Sequence, residues 1–300
     1  MGNEYPSSLA RLLLILIVLS NLNDGSAIGA AALEKPKGRH FVLVHGAAHG
    51  AWCWYKVSSL LESAGHNVTA LDMKASGVNP SNEDDVASLL DYSAPLLHFI
   101  RSLPPEEKVV LVGHSSGGYS ISAAMERYPH KISVAVFLSA AMISPSPSSL
   151  SNEKSNQISL NSFNRIIAAF HVPQPVFQYH YGNGLKNPAT AVLFSPAFYK
   201  LVYYRRSPPE DYELGRALWR YFPNKAEVIT GLNLTEKNYG SVRRVYIICD
   251  PETAMDWQKA YIHGYPPEDV VTLPGSDHMA MFSQTKALVT SLQNIGAKYH

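Results

Sequence analysis

The sequence is poor in cysteine, and it contains no long apolar run and no block of one charge. Its 300 residues include two cysteines, Cys53 and Cys249, which are too few for a disulfide framework and lack the spacing of a metal site. We interpret both as small buried hydrophobes, and a disulfide between them is left open. The net charge of +1 and the lack of a basic cluster give no indication of a nucleic-acid partner.

The most apolar stretch lies near the N-terminus and is too short to cross a bilayer. Residues 12–19 are apolar, whereas a membrane-spanning helix needs about 20 such residues. Arg11 precedes this run and small residues follow it, which is typical of a secretory signal. The pattern predicts a signal peptide or N-terminal extension over residues 1–32, a secreted or endomembrane protein, and no stable membrane span after cleavage. An uncleaved membrane anchor and a cytoplasmic location are the alternatives.

Short apolar segments alternate with amphipathic ones from residue 40 onward, which predicts strands and helices in alternation. The predicted strands are 41–45, 68–72, 109–112, 132–138, 245–249 and 270–273. The predicted helices are 52–64, 84–102, 116–127, 256–262 and 283–295. Between the fourth and fifth strands, residues 142–240 are rich in Ser, Pro, Asn and Tyr, with no clear strands and with helical patches near 161–170 and 210–220.

This alternation predicts an α/β fold with a mostly parallel central sheet and helices on both faces. Residues 38–141 and 241–300 would form that core. The segment 142–240 is long for a loop, so we expect it to be a mainly helical cap inserted into the core.

A nucleophile motif follows the third predicted strand. Gly113-His114-Ser115-Ser116-Gly117 matches the G-x-S-x-G pattern at a strand-to-helix turn, where a strained serine is exposed above the sheet. A free hydroxyl is a poor nucleophile at neutral pH and needs a neighbouring base. The motif therefore predicts that Ser115 is the nucleophile of a serine hydrolase.

The base and the acid of a catalytic triad are expected later in the chain. His278 fits the base best, because it lies in a loop just after the last predicted strand, whereas His98, His130 and His300 lie in a helix, at a helix end and at the terminus. Two carboxylates, Asp250 and Glu252, follow the strand that ends at Cys249, and either could orient the imidazole. Asp256 and Asp277 fit less well by position.

Two backbone amides are needed to hold the oxyanion of the reaction. One is expected from Ser116, directly after the nucleophile. The other is expected from the loop after the first strand, His45-Gly46-Ala47-Ala48-His49, where Ala47 is the candidate donor.

Three motifs together resemble the plant methylesterase and hydroxynitrile lyase family of α/β-hydrolases, which includes salicylic-acid-binding protein and polyneuridine-aldehyde esterase. They are His45-Gly46-Ala47-Ala48-His49-Gly50-Ala51-Trp52-Cys53-Trp54, Gly113-His114-Ser115-Ser116-Gly117-Gly118 and Asp277-His278-Met279-Ala280-Met281. The resemblance covers residues 40–298. It implies an α/β-hydrolase core with a helical cap, no cofactor, and a small-molecule ester as substrate. Methyl salicylate, methyl jasmonate and methyl indole-3-acetate are the usual candidates within the family.

The resemblance also bears on rival functions. The rubber-tree type lyases carry Thr at the position of Gly46 and Lys at that of Met279, which favours the esterase branch for this chain. Ser116 stands where the family usually has Leu. The family's acid falls three places after Cys249, at Glu252, but the following stretch is shorter than the family's, so that a gap would assign the role to Asp250.

Several expectations stay open at this point. A hydroxynitrile lyase and a hormone receptor without turnover are the alternative functions. A homodimer is possible, and the substrate depends on the cap. Four aromatic residues of the cap are candidate walls of a substrate pocket, or plain core of the cap: Phe163, Phe170, Phe177 and Trp219.

Overall fold

Six parallel strands form the central sheet of the protein. The computed structural model describes residues 38–145, 161–224, 232–252 and 255–299, so the predicted segment 1–32 lies outside the described residues. The predicted α/β fold is confirmed, and every pairing in this sheet is parallel. The six strands are β1 (His40–Val44), β2 (Asn67–Leu71), β3 (Val109–His114), β4 (Ile132–Leu138), β8 (Arg244–Ile248) and β9 (Asp269–Thr272). They lie side by side in the order β2-β1-β3-β4-β8-β9.

Both faces of the sheet are buried, because successive side chains of each strand point to opposite sides. In β1, Val42 and Val44 join one apolar cluster, while Phe41 and Leu43 join the other. This double burial explains why the strands read as unbroken apolar runs.

Helices cover the two faces. The first face packs against the helices that carry Leu97, Ile121 and Tyr261, and the second against those that carry Val57 and Leu292. The helices are α1 (Tyr55–Ser63), α2 (Leu89–Tyr92), α3 (Ala94–Ser102), α4 (Gly117–Arg127), α5 (161–169), α6 (Pro196–Phe198), α7 (Pro209–Leu218), α8 (Met255–Gly264), α9 (Ala280–Ser283) and α10 (Thr285–Lys298). A π-helical turn spans Tyr199–Tyr203, and 3₁₀ turns span Ala51–Trp54, Glu83–Asp85, Pro129–Lys131 and Tyr239–Ser241.

The helix predicted over 84–102 is wrong as a single element. The Ser88 side chain accepts a hydrogen bond from the Asp91 amide at 3.2 Å and starts α2. Pro95 then stands in the first turn of α3, where proline is favoured because its missing N–H has no helical partner there. Local capping chemistry thus divides one apolar pattern into two helices.

The prediction of no clear strands in residues 142–240 is also wrong. We call residues 161–224 the cap segment. It contains an antiparallel sheet of three short strands, β5 (Phe177–His180), β6 (Ala191–Phe194) and β7 (Phe222–Pro223), beside the helices α5 to α7. These strands have two to four residues each, too few for a visible alternation of apolar and polar side chains.

The two cysteines are confirmed as buried and free, so no disulfide joins them. Among the described residues, no helix combines the length and the apolar character that crossing a bilayer requires.

Candidate active site

Ser115 lies at the sharp turn between β3 and α4. Its φ of +55° is in the left-handed region, which a non-glycine residue adopts only under strain. The Ser115 amide donates to the Leu138 carbonyl at 3.2 Å, and the Ser115 carbonyl accepts from the amides of Gly118 at 3.2 Å and Ala141 at 3.0 Å. Backbone contacts on both sides therefore hold the predicted elbow in place.

The small residues of the elbow are required by close backbone approaches. A Cβ on Gly117 would lie 2.6 Å from the His45 carbonyl oxygen, and one on Gly118 would lie 2.1 Å from the Ala141 carbonyl oxygen. A Cβ on Gly113 would lie 2.9 Å from the Gly117 carbonyl oxygen. None of these separations is available to a real side chain, so only glycine permits this turn.

His278 lies in the loop after β9, where the sequence predicts it. Its ring centroid is 4.6 Å from that of His114 and 4.2 Å from that of Tyr203. Nδ1 lies 3.2 Å from the hydroxyl of Ser139, and Nε2 has no hydrogen-bond partner among the described residues. Burial lowers the pKa of His278 to about 3, so the ring is neutral at pH 7 and Nε2 can act as a proton acceptor.

Ser115 and His278 line the same cavity, which has a volume of about 570 Å³. The structure therefore brings together two side chains that are far apart in the sequence. The hydrogen bond between them is not formed here, since Nε2 has no partner in the described part of the chain. Such bonds are often long in unliganded enzymes and tighten when substrate binds.

The two candidate acids lie in different environments. Asp250 is buried and lines the cavity, and its Oδ1 accepts from Arg205 Nη2 at 2.7 Å. Glu252 has half of its side chain exposed and pairs with Arg206 at 3.1 Å. Only Asp250 is therefore placed at the same cavity as His278.

Asp277 anchors the loop that carries His278. Its Oδ2 accepts from the Arg206 amide and the Ser207 hydroxyl, while its Oδ1 accepts from the Met279 amide and the Ser283 hydroxyl. Burial raises the pKa of Asp277, although these four donors act in the opposite direction. With its acceptor sites occupied by these donors, the carboxylate fixes the backbone on either side of His278.

The predicted oxyanion donors, Ala47 and Ser116, both line the cavity. In the described ranges neither amide has a hydrogen-bonded acceptor. The Gly46 carbonyl points toward the His45 ring, with its oxygen 2.8 Å from Nδ1. A trans peptide directs its carbonyl and its amide to opposite sides, so the Ala47 N–H faces away from that ring.

Gly46 also crowds the nucleophile. A Cβ at this position would lie 2.8 Å from the Ser115 Cβ and 3.1 Å from His114 Nδ1. The loop after β1 and the elbow after β3 are thus in direct contact, and this contact sets Ala47 beside Ser115.

Aromatic side chains dominate the cavity wall. Phe163 and Phe177 line it, as the sequence predicts, whereas Phe170 and Trp219 do not. Phe170 lies against the Arg205 guanidinium at 5.3 Å, and Trp219 stacks on Tyr199 at 3.9 Å. The other aromatic lining residues are Tyr119, Phe194, Phe198, Tyr199, Tyr203, Phe222, Trp257 and Tyr261.

Two contacts of the site are absent from the sequence reasoning. Ser139, which touches His278, follows β4 directly, and the carboxyl ends of parallel strands meet at one edge where α/β proteins place their ligands. The place of Ser139 directly after a predicted strand could therefore have identified it from the sequence. Arg205 carries no such signal, because a cap residue reaches Asp250 only through the tertiary fold.

The residues of the site contain no obvious metal centre. Within 38–145, 161–224, 232–252 and 255–299, no group of three or more His, Cys, Asp or Glu side chains is arranged to hold a metal ion.

Comparison with known proteins agrees with this geometry. Residues 41–291 match the alpha/beta hydrolase family. The chain is 44% identical over 274 residues to methyl jasmonate esterase 1 of Vitis vinifera, covering 89% of this chain and 100% of that protein. It is 38% identical over 271 residues to polyneuridine aldehyde esterase of Rauvolfia serpentina, covering 88% and 98%. The crystal structure of tomato methylketone synthase I with 2-tridecanone is similar, with a TM-score of 0.77, 41% identity, and coverage of 88% of this chain and 99% of that one.

Proposed function

Because the chain belongs to the α/β-hydrolase family, we propose that it is a serine carboxylesterase that hydrolyses small methyl esters of plant acids. One observation carries the proposal: a strained serine and a neutral buried histidine line one apolar cavity. The names of its relatives, a methyl jasmonate esterase and a polyneuridine aldehyde esterase, support the same chemistry.

The proposed reaction uses a covalent acyl-enzyme. Ser115 Oγ attacks the ester carbonyl carbon while His278 Nε2 takes the hydroxyl proton, and the amides of Ala47 and Ser116 donate to the oxyanion. The tetrahedral intermediate collapses, and His278 returns the proton to the alkoxy oxygen, so that methanol leaves. Water, deprotonated by His278, then attacks the acyl carbon. His278 returns that proton to Ser115 Oγ as the acyl bond breaks, which releases the acid and regenerates Ser115.

We assign the acid of the triad to Asp250 rather than Glu252. Asp250 is 3% exposed and lines the cavity, whereas Glu252 is directed toward solvent. A buried carboxylate stabilises an imidazolium more strongly than an exposed one, because water screens it less. The pairing of Asp250 with Arg205 offsets part of that charge.

The cavity favours an uncharged ester with an apolar acyl group. Its lining is mostly aromatic and aliphatic, and among the described residues no lysine or arginine contributes to it. Pockets of this kind bind ligands mainly by apolar burial and orient them by a few polar groups. The carboxylate product finds no cation in the lining, which favours its release.

The test is hydrolysis of a panel of methyl esters, including methyl jasmonate and methyl salicylate, by the full chain and by its Ser115→Ala variant. The proposal predicts turnover by the full chain and a loss of at least about 10³-fold in kcat for the variant, because the nucleophile is removed. Ser133→Ala is the matched control, since this serine lies in β4 and donates to the Val109 carbonyl at 3.0 Å. Full hydrolysis by Ser115→Ala would overturn the mechanism.

Two further assays separate the rival functions. Met279, directly after His278, is buried and supplies no ammonium group for a leaving cyanide. Release of cyanide from mandelonitrile would identify a lyase instead. Tight binding of an acid without turnover of any ester would identify a receptor.

We also propose that residues 1–32 are a signal peptide and that the mature chain is secreted or enters the endomembrane system. The short apolar run with Arg11 before it supports this. Mass analysis of the N-terminus after expression in plant cells tests it, and an intact Met1 on the native protein would contradict cleavage. A homodimer is tested by light scattering on the purified protein.

A further inference from the structure

Ser139 occupies a strained and fully buried position at the carboxyl end of β4. Its φ is +43°, in the left-handed region, and its side chain is inaccessible to solvent. The Ser139 amide donates to the Ile247 carbonyl at 2.8 Å, which ties the residue to the neighbouring strand β8. A non-glycine residue held in this conformation requires a compensating interaction.

The hydroxyl of Ser139 contacts the candidate catalytic base. Its Oγ lies 3.2 Å from His278 Nδ1. The other ring nitrogen, Nε2, has no hydrogen-bond partner in the described residues. In a Ser-His-Asp site, Nδ1 is the nitrogen that faces the carboxylate. In this protein a hydroxyl contacts that nitrogen, and the Oδ1 of Asp250 is bonded to Arg205.

We propose that Ser139 is a positioning residue for His278. Its Oγ accepts the Nδ1–H bond and so fixes the tautomer in which Nε2 carries the lone pair toward Ser115. The inference rests on the proposed esterase function and adds to the triad a contact that comes from β4 rather than from the loop after β8.

A hydroxyl and a carboxylate have different effects on the ring. Both can accept from Nδ1 and hold the tautomer, but only the carboxylate carries a full charge that stabilises the imidazolium. Ser139 therefore orients the base while raising its pKa less than a carboxylate in contact would. The acid limb of kcat/KM, which reports the pKa of the base in the free enzyme, is expected below the ordinary histidine value of about 6.5.

The groups around His278 are consistent with a low pKa for the acid limb of kcat/KM. Two other histidines, His114 and His49, lie near His278, and burial lowers the pKa of both. A proton bound to either ring would oppose protonation of His278. Tyr203 packs on the ring, and Trp257 lies edge-on at 6.2 Å. Asp250, at the same cavity, is paired with Arg205.

The first experiment compares Ser139→Ala with wild type and with the matched control Ser133→Ala. Alanine removes the acceptor and is compatible with the backbone, since Ala48 and Ala75 of this chain also have positive φ. We expect Ser139→Ala to lose at least about tenfold in kcat with KM changed less than about twofold, because the ester is bound but the base is misoriented. Ser133→Ala should match wild type, and wild-type kcat in Ser139→Ala would overturn the proposal.

The second variant, Ser139→Asp, tests the direction of the effect on pH. Aspartate tolerates a left-handed backbone and places a charge beside Nδ1. A charge there favours the protonated ring, so the pKa of His278 rises and the acid limb of kcat/KM moves to higher pH. A purely structural role for Ser139 would lower activity without moving the limb, and an unmoved limb in active Ser139→Asp would contradict the proposal.

A spectroscopic measurement makes the inference independent of turnover. In protein labelled with ¹⁵N-histidine, the His278 signals are assigned by their loss in His278→Gln, and they report which ring nitrogen carries the proton. We expect Nδ1–H in wild type and a mixed tautomer in Ser139→Ala. If wild type hydrolyses no ester but holds Nδ1–H through Ser139, the proposed function fails and the positioning role stands. The same tautomer in both proteins would refute the positioning role.

Discussion

Two loops at the same edge of the sheet are held by different forces. The elbow around Ser115 is fixed by backbone hydrogen bonds and by contacts that leave no space for a Cβ, with no charged side chain involved. The loop after β8 is held from two sides. The Asp250 amide donates to Ser276 Oγ of the core at 3.0 Å, and ion pairs join Asp250 to Arg205 and Glu252 to Arg206, both in the cap segment. The core alone therefore holds the nucleophile, whereas the carboxylates also depend on contacts with the cap segment.

The largest effect should come from Gly117→Ala in the elbow. Its added Cβ would lie 2.6 Å from the His45 carbonyl oxygen and 2.9 Å from that of Val44, so either β1 or the helix must shift. We expect a loss of about 3 kcal/mol in the free energy of unfolding, together with loss of activity. Urea titration measures the first quantity. Gly184→Ala is the control: its Cβ meets nothing within 4 Å, and only its φ of +86° costs stability, about 1 kcal/mol.

The next largest effect should come from replacing the two carboxylates of the loop after β8, one at a time, by their isosteric amides. Asp250→Asn should lower kcat by at least about tenfold, because it removes the buried carboxylate at the cavity that also holds His278. Glu252→Gln should stay within about twofold of wild type, since its carboxylate is half exposed and bonded to Arg206. Steady-state kinetics on one methyl ester decides the assignment. The reverse order of effects would return the acid role to Glu252.

The smallest effect should come from replacing the two arginines that link the cap segment to the loop after β8. Arg205→Gln should cost about 2 kcal/mol in the free energy of unfolding, because it removes the guanidinium that pairs with the buried Asp250 carboxylate. Arg206→Gln should cost less than about 1 kcal/mol, as expected for an exposed pair. Equal costs for the two variants would show that the buried pair contributes no more to stability than the exposed one.

The same contrast explains what the sequence could predict. The elbow is encoded by contiguous residues, and its glycines follow from local backbone geometry, so Ser115 and Ser116 could be named from the motif. His278 could be named from its place after the last strand. The choice between Asp250 and Glu252 could not be made, because it depends on Arg205 and Arg206, which approach only in the folded chain.

The errors in the fold have similar causes. The break between α2 and α3 arises from the cap at Ser88 and the position of Pro95, which the apolar pattern alone does not reveal. The cap strands β5 to β7 are stabilised by pairing between segments that are separated by loops. Pairing of this kind is a tertiary property, and strands this short leave little periodic signal.

The contact between Gly46 and Ser115 has a consequence for how such a site can change over time. A Cβ at position 46 would lie 2.8 Å from that of the nucleophile, so the two positions cannot both carry ordinary side chains in this geometry. A lineage that acquires threonine there must also move its serine or its loop. A side chain at position 46 is thus accommodated only when the loop after β1 or the elbow shifts, so a change at this position also alters the placement of the nucleophile.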